Sequence, residues 1–580
     1  MFELTENRKK LLESIEHLLV LGGPGSGKTT IALLKAQKEI LNSFLKPKQR
    51  ILFLSFARST IARVIQQAKQ IITNEQLKEI RIETYHGFTW SLLKSHGYLI
   101  SFNRNISLLP PPEATSILAE IENLSERAFE KNRLFDFDGI LHFDLFAEKA
   151  ALLLSKSQKL ASIISDTYPI IILDEFQDTN NKEWEFIQEL GKRSRLIALA
   201  DAEQRIYEFR GADPARIGQF ITKYNPEQFD FGTENNRSLG TDITTFGNDL
   251  LVGSHKTKKY KHVKLLQYMV MKGTALHLEL KSQVFIGMNY LRKSNVSDWS
   301  LAILVPTKQL MLDVSNYLAT EQVFKSFKKL PILTHEVALD TAGPSLAAII
   351  IAGLLESVNA PLNAFNYLLN NLSAHMRGRN GGDKTPSKAN LAASKILDSY
   401  VNTPIEKGKQ PKLILECRKV INLCSVLNFT GDPGKDWLMI RDILLASNSK
   451  EIQTVGEDAK YLRLLNKGAI LRGQLGELWR TNATYLGAVN SVRNALLQEH
   501  FNASTRDYKG IQLMTIHKSK GKEFDYVIIY EGAYNNRYVW TGGTENELAQ
   551  STLAMRVAVT RAKKSVVILT PKNNPSPLLF

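Results

Sequence analysis

A glycine-rich segment near the N-terminus has the composition and spacing of a phosphate-binding loop. It reads Gly22-Gly-Pro-Gly-Ser-Gly-Lys28-Thr29 and lies between an apolar run and a helical stretch that starts near Thr30. Glycines let successive backbone N–H groups point at phosphate oxygens, Lys28 can reach the β and γ phosphates, and the Thr29 hydroxyl can bind Mg²⁺. A glycine-rich turn without a ligand is the alternative, and the strand-loop-helix context disfavours it. The predicted phosphate-binding residues are Gly22, Gly23, Pro24, Gly25, Ser26, Gly27, Lys28, Thr29 and Thr30.

Two carboxylates after a second apolar run could complete a hydrolytic site. Asp174 and Glu175 directly follow the run from Ile170 to Leu173. Asp174 would hold Mg²⁺, directly or through water, and Glu175 would orient or deprotonate the attacking water. An acidic pair after a strand is often only a solvated turn, but a phosphate loop on a neighbouring strand favours the catalytic interpretation.

Short apolar runs of this kind recur along the chain and indicate the strands that must position these groups. Bounded by turns or followed by amphipathic stretches, they are typical of parallel α/β sheets. They form two groups, one before residue 240 and one after residue 300, which predicts two sheets. The runs are Leu18 to Leu21, Ile51 to Ser55, Ile170 to Leu173, Leu196 to Ala200, Leu301 to Val305, Tyr526 to Tyr530 and Val566 to Leu569.

Two regions between these runs have helical periodicity instead, and we interpret them as insertions. The predicted first α/β domain covers residues 1–95 and 160–238, with a helical insertion at 96–159. The predicted second α/β domain covers residues 239–355 and 500–580, with a helical insertion at 356–499.

Composition limits the class of protein and of partner. The 580 residues are 43% hydrophobic and 23% charged, which excludes a collagen-like, coiled-coil or wholly disordered chain. The 74 Lys and Arg residues exceed the 58 Asp and Glu residues by sixteen, and this surplus favours a polyanionic partner such as nucleic acid. A group of five lysines around Tyr260 could contact phosphates or be an ordinary solvated surface: Lys256, Lys258, Lys259, Lys261 and Lys264.

The sequence also bears on the compartment. Cys417 and Cys424 are too few for a disulfide framework, and their spacing fits no usual metal motif. The N-terminus lacks a signal sequence, and the longest apolar run, Leu346 to Leu355, is half of what a bilayer requires. We therefore predict a cytoplasmic protein with no membrane partner.

The chain resembles the UvrD/Rep/PcrA branch of the superfamily 1 helicases through a series of motifs in the family's order. The resemblance implies two RecA-like parallel-sheet domains, each with a mostly helical insertion, with ATP and Mg²⁺ as cofactors. It implies 3′ to 5′ movement on single-stranded DNA and action at single-strand/duplex junctions. Besides the two segments above, the motifs start at Ser55, Thr84, Asp201, Asn235, Thr515 and Val559.

The resemblance also implies roles for individual residues. Gln204 is expected to sense the γ phosphate, and Arg237 and Arg561 are expected to act on it as arginine fingers. Glu523 is expected to bind the ribose. Aromatic rings at Phe56, Tyr207 and Phe209 are expected to stack on DNA bases, whereas lone aromatic residues usually pack in a core. Further candidates for DNA contact are Arg58, Thr84, His86, Arg210 and His517.

Three departures from the family pattern concern the nucleotide and the last motif. Arg8 stands where the family has a glutamine that reads adenine, and Asn236 stands where it has an aromatic residue that stacks on adenine. Both changes affect base recognition, so selectivity for ATP over other nucleotides is open. The segment from Ser551 to Arg556 replaces an arginine-rich stretch with a tyrosine and could pack differently.

Three functional hypotheses follow. The first is an ATP-dependent DNA helicase without an appended nuclease domain, because only eighteen residues follow Ala562. The second is a translocase that works with a separate nuclease subunit, in repair or antiphage defence. The third is a DNA-binding nucleotide sensor with weak ATPase activity, and the departures at Arg8 and Asn236 motivate it.

Overall fold

The computed structural model divides the chain into two compact units. The first comprises Met1–Thr89, Ala150–Leu339 and Ala503–Phe580, and the second comprises Trp90–Lys149 and Asp340–Asn502. The structure describes residues 5–42, 44–56, 58–111, 113–121, 123–201, 213, 215–232, 237–294, 298–324, 329–337, 342–357, 361–381, 386–403, 409–460, 469–501, 508–533, 537–539 and 544–580.

Strands and helices alternate through the first unit, and helices predominate in the second. The strands are β1 Leu18–Leu21, β2 Ile51–Ser55, β3 Ile80–Thr84, β4 Ser107–Leu108, β5 Ile140–Leu141, β6 Ile170–Leu173, β7 Arg195–Ala200, β8 Glu227–Asp230, β9 Val263–Tyr268, β10 Ser300–Val305, β11 Gln322–Val323, β12 Lys329–Leu330, β13 His335–Val337, β14 Gly510–Thr515, β15 Phe524–Tyr530 and β16 Ala562–Pro571.

The helices of the part before residue 340 are α1 Glu6–Glu13, α2 Lys28–Leu41, α3 Arg58–Ile71, α4 Asn74–Leu77, α5 Tyr85–His96, α6 Pro111–Leu118, α7 Leu124–Asp138, α8 Phe146–Lys156, α9 Gln158–Thr167, α10 Asn181–Gly191, α11 Arg216–Tyr224, α12 Ile243–Leu251, α13 Leu278–Lys293 and α14 Lys308–Leu318. Those that follow are α15 Ala342–Ser357, α16 Pro361–Gly378, α17 Lys388–Asn402, α18 Lys412–Ser425, α19 Pro433–Leu445, α20 Lys450–Lys460, α21 Ala469–Asn482, α22 Ala488–Phe501, α23 Ile516–Ser519 and α24 Glu545–Val559.

The first sheet has six parallel strands in the order β3-β2-β6-β7-β1-β8. Every residue of β2 and β6 is buried, as expected for central strands covered by helices on both faces. The register pairs Ser55 of β2 with Thr84 of β3 and Leu54 of β2 with Leu173 of β6. The carboxyl ends of these strands therefore meet at one edge, where Asp174 follows β6.

The second sheet is also six-stranded and parallel, in the order β13-β14-β10-β15-β16-β9. Strand β10 is buried along its whole length, and one hydrophobic core lies on each face of the sheet. Helix α24 packs in one of these cores through residues such as Met555 and Ala558.

The second unit is built around helix α15, whose residues are all buried except Glu356. A single large core joins α15 to the helices that follow it and includes Ile350, Leu372, Trp437 and Tyr485. Both cysteines lie in this core, where burial raises the thiol pKa of each to about 12. This chemistry is that of inert thiols.

The α/β fold class with two RecA-like parallel sheets is confirmed, and all seven apolar runs coincide with strands. Strands β3, β8, β9, β13 and β14 were not among the predicted runs. The sequence Glu227–Asp230 is mostly polar, and only Phe229 of β8 is buried, so it carries no apolar signal. The predicted domain boundaries stay a prediction. None of the described helices is both long and apolar enough to span a lipid bilayer.

Candidate nucleotide-binding site

The glycine-rich segment forms a tight loop between β1 and α2 in the first unit. Gly25 and Gly27 have φ angles of 79° and 90°, a left-handed conformation that favours glycine at both positions. Helix α2 begins at Lys28, with Thr29 and Thr30 in its first turn. The unpaired backbone N–H groups of that turn make its start suitable for an anion.

Lys28 lies at the mouth of this loop. Its ammonium group donates hydrogen bonds to the carbonyl oxygens of Gly22, at 2.5 Å, and Gly23, at 3.1 Å. Burial lowers the pKa of Lys28, while the carboxylates of Asp201, Glu175 and Asp174 act in the opposite direction. Three acidic groups from the edge of the first sheet thus surround the lysine.

Asp174 and Glu175 occupy this edge in different environments. The Ser55 hydroxyl donates a hydrogen bond of 3.1 Å to Asp174, and burial, with the adjacent Glu175, raises the pKa of Asp174 to about 6. Glu175 is also buried, but Lys520 and Lys28 outweigh that effect and leave its pKa below the ordinary value. Glu175 is the better proton acceptor of the two at neutral pH.

The backbone of Glu175 adopts φ 53° and ψ 37°, a left-handed conformation that is unfavourable for a residue with a side chain. Gln177 donates a hydrogen bond of 2.7 Å to the Glu175 carboxylate, and its own amide oxygen accepts one of 3.0 Å from the backbone of Asp201. The strained turn and the glutamine together fix the carboxylate at the strand end. Such strain is concentrated at functional sites in proteins.

The predicted arginine fingers lie together beside the second sheet. Arg237 donates a hydrogen bond of 3.0 Å to the backbone oxygen of Thr560, and Arg561 donates one of 2.9 Å to that of Val557. Burial and the charge of Arg237 lower the pKa of Arg561. Two neighbouring buried guanidinium groups favour a multiply charged anion.

Glu523 is the acidic partner of this arginine cluster. One of its carboxylate oxygens accepts hydrogen bonds from Arg63, at 2.7 Å, and from Arg237, at 2.9 Å. Burial opposes ionisation, but the cations, led by Arg237 and Arg63, hold the pKa of Glu523 well below its ordinary value. The carboxylate for which a ribose contact was predicted therefore lies within the arginine cluster.

Arg8 contacts the phosphate loop from behind. The side chain is 3% exposed, and its guanidinium group donates a hydrogen bond of 3.1 Å to the backbone oxygen of Ser26. It also lies over the Phe231 ring, 5.0 Å from the ring centre. Arg8 thus supports the backbone that cradles the phosphates.

Four of the candidate DNA-contacting residues lie after β2 and β3 or on helix α23. Phe56 directly follows β2 and stacks on Tyr85, with ring centres 4.4 Å apart. Thr84 ends β3, and its hydroxyl accepts a hydrogen bond of 2.9 Å from the Gly87 backbone. His86 lies in the first turn of α5, and His517 is exposed in α23.

Several predicted residues fall outside the described part of the chain. These are Gln204, Tyr207, Phe209, Arg210 and Asn236, together with the side chain of Arg58. Their roles stay predictions.

The lysine group near residue 260 is partly engaged within the protein. Lys258 and Tyr260 both hydrogen-bond to Asp249, at 2.9 and 2.6 Å. Lys256 donates to the backbone oxygens of Pro577 and Phe580. Lys259, Lys261 and Lys264 are exposed and could still contact phosphates.

Four residues that the sequence did not single out also lie at the site. Asp178 and Lys520 form a buried ion pair between segments of the two sheets, and burial raises the pKa of Asp178 to about 7. Arg556 of α24 is 1% exposed and lies 3.8 Å from Asp201. The fourth residue is Arg63.

A sequence signal existed for some of these residues. Asp201 directly follows β7, and Asp178 belongs to the acidic segment after β6, so the same strand-end argument could have found both. No local pattern distinguishes Arg63 or Arg556 from other surface-helix arginines, and only the three-dimensional structure identifies them.

The fold and the loop define a nucleotide-binding protein of the phosphate-loop class, with two RecA-like sheets. Sequence comparison identifies the family. The model of the UvrD/REP helicase N-terminal domain matches residues 4–131 and 112–225, and that of the UvrD-like helicase C-terminal domain matches residues 474–573. The chain belongs to the UvrD/Rep helicase family.

Its relatives include proteins of different length. It is 24% identical to the ATP-dependent DNA helicase Rep of Buchnera aphidicola subsp. Schizaphis graminum, over 91% of this chain and 87% of the relative. It is 23% identical to the exonuclease/helicase protein RexA of Lactococcus lactis subsp. cremoris. That match covers 76% of this chain, but the chain spans only 39% of the length of RexA.

Proposed function

We propose that this chain is an ATP-dependent DNA helicase that moves 3′ to 5′ on single-stranded DNA and unwinds duplex at junctions. The observation that carries the proposal is the arrangement within the first unit. A phosphate loop with two strand-end carboxylates belongs to one sheet, and two adjacent buried arginines belong to segments of the other. Closure of two sheets on one γ phosphate would convert hydrolysis into movement.

The residues present fit a magnesium nucleotide. Buried Asp174, hydrogen-bonded to Ser55, and the Thr29 hydroxyl are hard oxygen donors, and the described residues contain no cluster of three metal-ligating side chains. Mg²⁺ commonly takes one or two protein oxygens and completes its shell with phosphates and water. When bound, the ion would neutralise phosphate charge and orient the nucleotide.

In this proposal each side chain has one task. Lys28 binds the β and γ phosphates, and ionised Glu175 accepts a proton from the attacking water or orients it. Arg237 and Arg561 stabilise the charge that develops on the γ phosphate, and Gln204 senses that phosphate. Phe56, Tyr207 and Phe209 would grip bases without sequence preference. A chromosomal DNA substrate would place the protein in the cytoplasm.

A second candidate is a motor that works with a separate nuclease, in repair or in antiphage defence. It is supported by the exonuclease/helicase name of RexA and by Lactococcus lactis relatives whose names describe part of an ATP-dependent helicase/nuclease. The third, a nucleotide sensor with weak ATPase activity, finds less support because Lys28, Asp174, Glu175 and Arg561 are all present.

The deciding experiment is steady-state hydrolysis of ATP, GTP, CTP and UTP by the purified chain, with and without single-stranded DNA. We expect DNA to stimulate hydrolysis and Lys28→Ala to reduce it at least about hundredfold. Negligible hydrolysis with DNA present, or an active Lys28→Ala variant, would contradict the assignment.

Strand displacement separates the first two candidates. A duplex with a 3′ single-stranded tail and one with a 5′ tail are offered to the purified chain. Robust unwinding of the 3′-tailed duplex alone supports an autonomous helicase. DNA-stimulated hydrolysis without unwinding supports a motor that needs a partner.

A further inference from the structure

Arg63 connects helix α3, which packs on the first sheet, to the arginine cluster beside the second sheet. Its guanidinium Nη1 donates a hydrogen bond of 2.7 Å to Oε1 of Glu523, the residue that precedes β15. The same oxygen accepts a bond of 2.9 Å from Arg237 Nε. A single carboxylate oxygen therefore joins Arg63 to a predicted arginine finger.

The three side chains are mostly withdrawn from solvent. Exposed fractions are 21% for Arg63, 20% for Glu523 and 12% for Arg237. Partial burial strengthens the hydrogen bonds and makes the loss of one member costly for the others. A change in the position of Arg63 would therefore move Glu523, and Glu523 would move Arg237.

The other end of helix α3 lies next to a candidate DNA contact. The helix begins at Arg58, two residues after Phe56, and Arg63 lies five residues further along. Val64 and Ala68 anchor the helix in the core of the first sheet. A helix transmits a displacement of its first turn to its second turn as a nearly rigid body.

Arg63 also faces the hydrolytic carboxylates. The charges of Glu523, Asp174 and Glu175 all raise the pKa of Arg63 against the effect of burial. Its Nε atom is buried and has no hydrogen-bond partner among the residues that the structure describes. Arg63 thus stands between the metal-side acids of one sheet and the arginine finger of the other.

We propose that Arg63 is a positioning residue that links the DNA-contacting edge of the first sheet to Arg237 through Glu523. DNA held after β2 would set helix α3, and Arg63 and Glu523 would then fix the orientation of Arg237 toward the γ phosphate. This inference rests on the proposed function, because it explains how DNA stimulates hydrolysis.

The test compares Arg63→Gln, Arg63→Lys, Glu523→Gln and the double variant Arg63→Gln/Glu523→Gln with the wild type. The matched control is Arg81→Gln, which removes an arginine of β3 that pairs with Glu83 and Tyr168 away from this cluster. For each protein, kcat and KM for ATP are measured with and without single-stranded DNA, and DNA affinity is measured by fluorescence anisotropy.

We expect Arg63→Gln to lower the ratio of DNA-stimulated to unstimulated kcat about tenfold, with DNA affinity changed less than about twofold. Arg63→Lys should recover part of the ratio, because an ammonium group can keep one bond to Glu523. If Arg63 acts through Glu523, the double variant should be no worse than Glu523→Gln alone. Arg81→Gln should keep the wild-type ratio.

Several results would overturn the inference while leaving the proposed function in place. They are an unchanged ratio in Arg63→Gln, a loss explained by weaker DNA binding, or additive losses in the double variant. Thermal unfolding identifies a variant that fails to fold, and the Arg63→Lys ratio then decides, with a wild-type value counting against the inference. A wild-type chain that DNA does not stimulate would overturn the proposed function itself.

Discussion

At the scale of single residues, Arg8 illustrates how a predicted role and an observed contact can differ. The family resemblance assigns its position to recognition of the base. In the structure its guanidinium group is buried, donates to the Ser26 carbonyl and lies over Phe231. A buried arginine with this partner acts on the shape of the phosphate loop, which every nucleoside triphosphate uses equally.

We therefore expect Arg8→Ala to raise KM for ATP and for GTP by the same factor, about fivefold to tenfold, because a hydrogen bond from a charged donor contributes about 1.5 kcal/mol. Steady-state kinetics with both nucleotides measures the two factors. Lys9→Ala is the control, since Lys9 is an exposed neighbour that pairs only with Glu6 among the described residues. A KM that rises for ATP alone would instead indicate that Arg8 reads the base.

The residue scale also marks the limit of prediction from sequence. Lys28, Asp174 and Glu175 could be predicted because each follows a strand at a characteristic distance. Arg63 and Glu523 are 460 positions apart, and their contact depends on the assembly of two sheets. A long-range ion pair of this kind has no local pattern, so the sequence showed Glu523 without its partners.

At the scale of elements, helix α15 determines how tightly the second unit packs. Gly353 in this helix is buried against the Tyr367 ring, whose hydroxyl donates a hydrogen bond of 3.0 Å to the Ile349 carbonyl. A Cβ atom at Gly353 would overlap that ring. The glycine therefore serves a close helix approach rather than a turn.

The expected result of Gly353→Ala is a loss of about 1–3 kcal/mol of stability, because the ring must move and its hydrogen bond weakens. Gly473→Ala in helix α21 is the matched control, since nothing lies within 4 Å of its Cβ position. That substitution should stabilise the helix by about 0.5–1 kcal/mol. Thermal unfolding of the full-length variants should show shifts of opposite sign, and two shifts of the same sign would contradict this packing.

Elements also differ in how readable they are. Strands β6 and β10 are buried on both faces and appear as continuous apolar runs. Edge strand β8 contains Glu227, Gln228 and Asp230, and it forms because β1 offers a free edge for pairing. Tertiary pairing overrides local preference at such edges, which explains why the central strands were predicted and this one was not.

At the scale of the whole molecule, the net charge of +16 opposes further proton uptake. His277, at the start of α13, must gain a charge inside the core when the pH falls. It is 5% exposed, its Nδ1 lies 2.9 Å from the Tyr530 hydroxyl, and its Nε2 has no partner among the described residues. Burial lowers the pKa of His277 to about 4.

The sign of the resulting pH dependence follows from this direction. The pKa of His277 is lower in the folded chain than the ordinary value of 6.5, so the unfolded chain binds the proton more readily. Its contribution to stability is complete above pH 6.5 and is lost as the pH falls toward 4. At pH 5 the loss amounts to about 2 kcal/mol.

Replacing His277 with Phe keeps the ring contacts with Tyr317 and Tyr530 and removes the titrating group. We expect His277→Phe to be less stable than the wild type at pH 7.5, because the Tyr530 hydroxyl loses its partner. Between pH 7.5 and pH 5 its stability should fall by about 2 kcal/mol less than that of the wild type. Urea unfolding at both pH values measures this difference, with exposed His262→Asn as the control that keeps the wild-type slope. Equal slopes for the wild type and His277→Phe would show that another group controls the acid response of the protein.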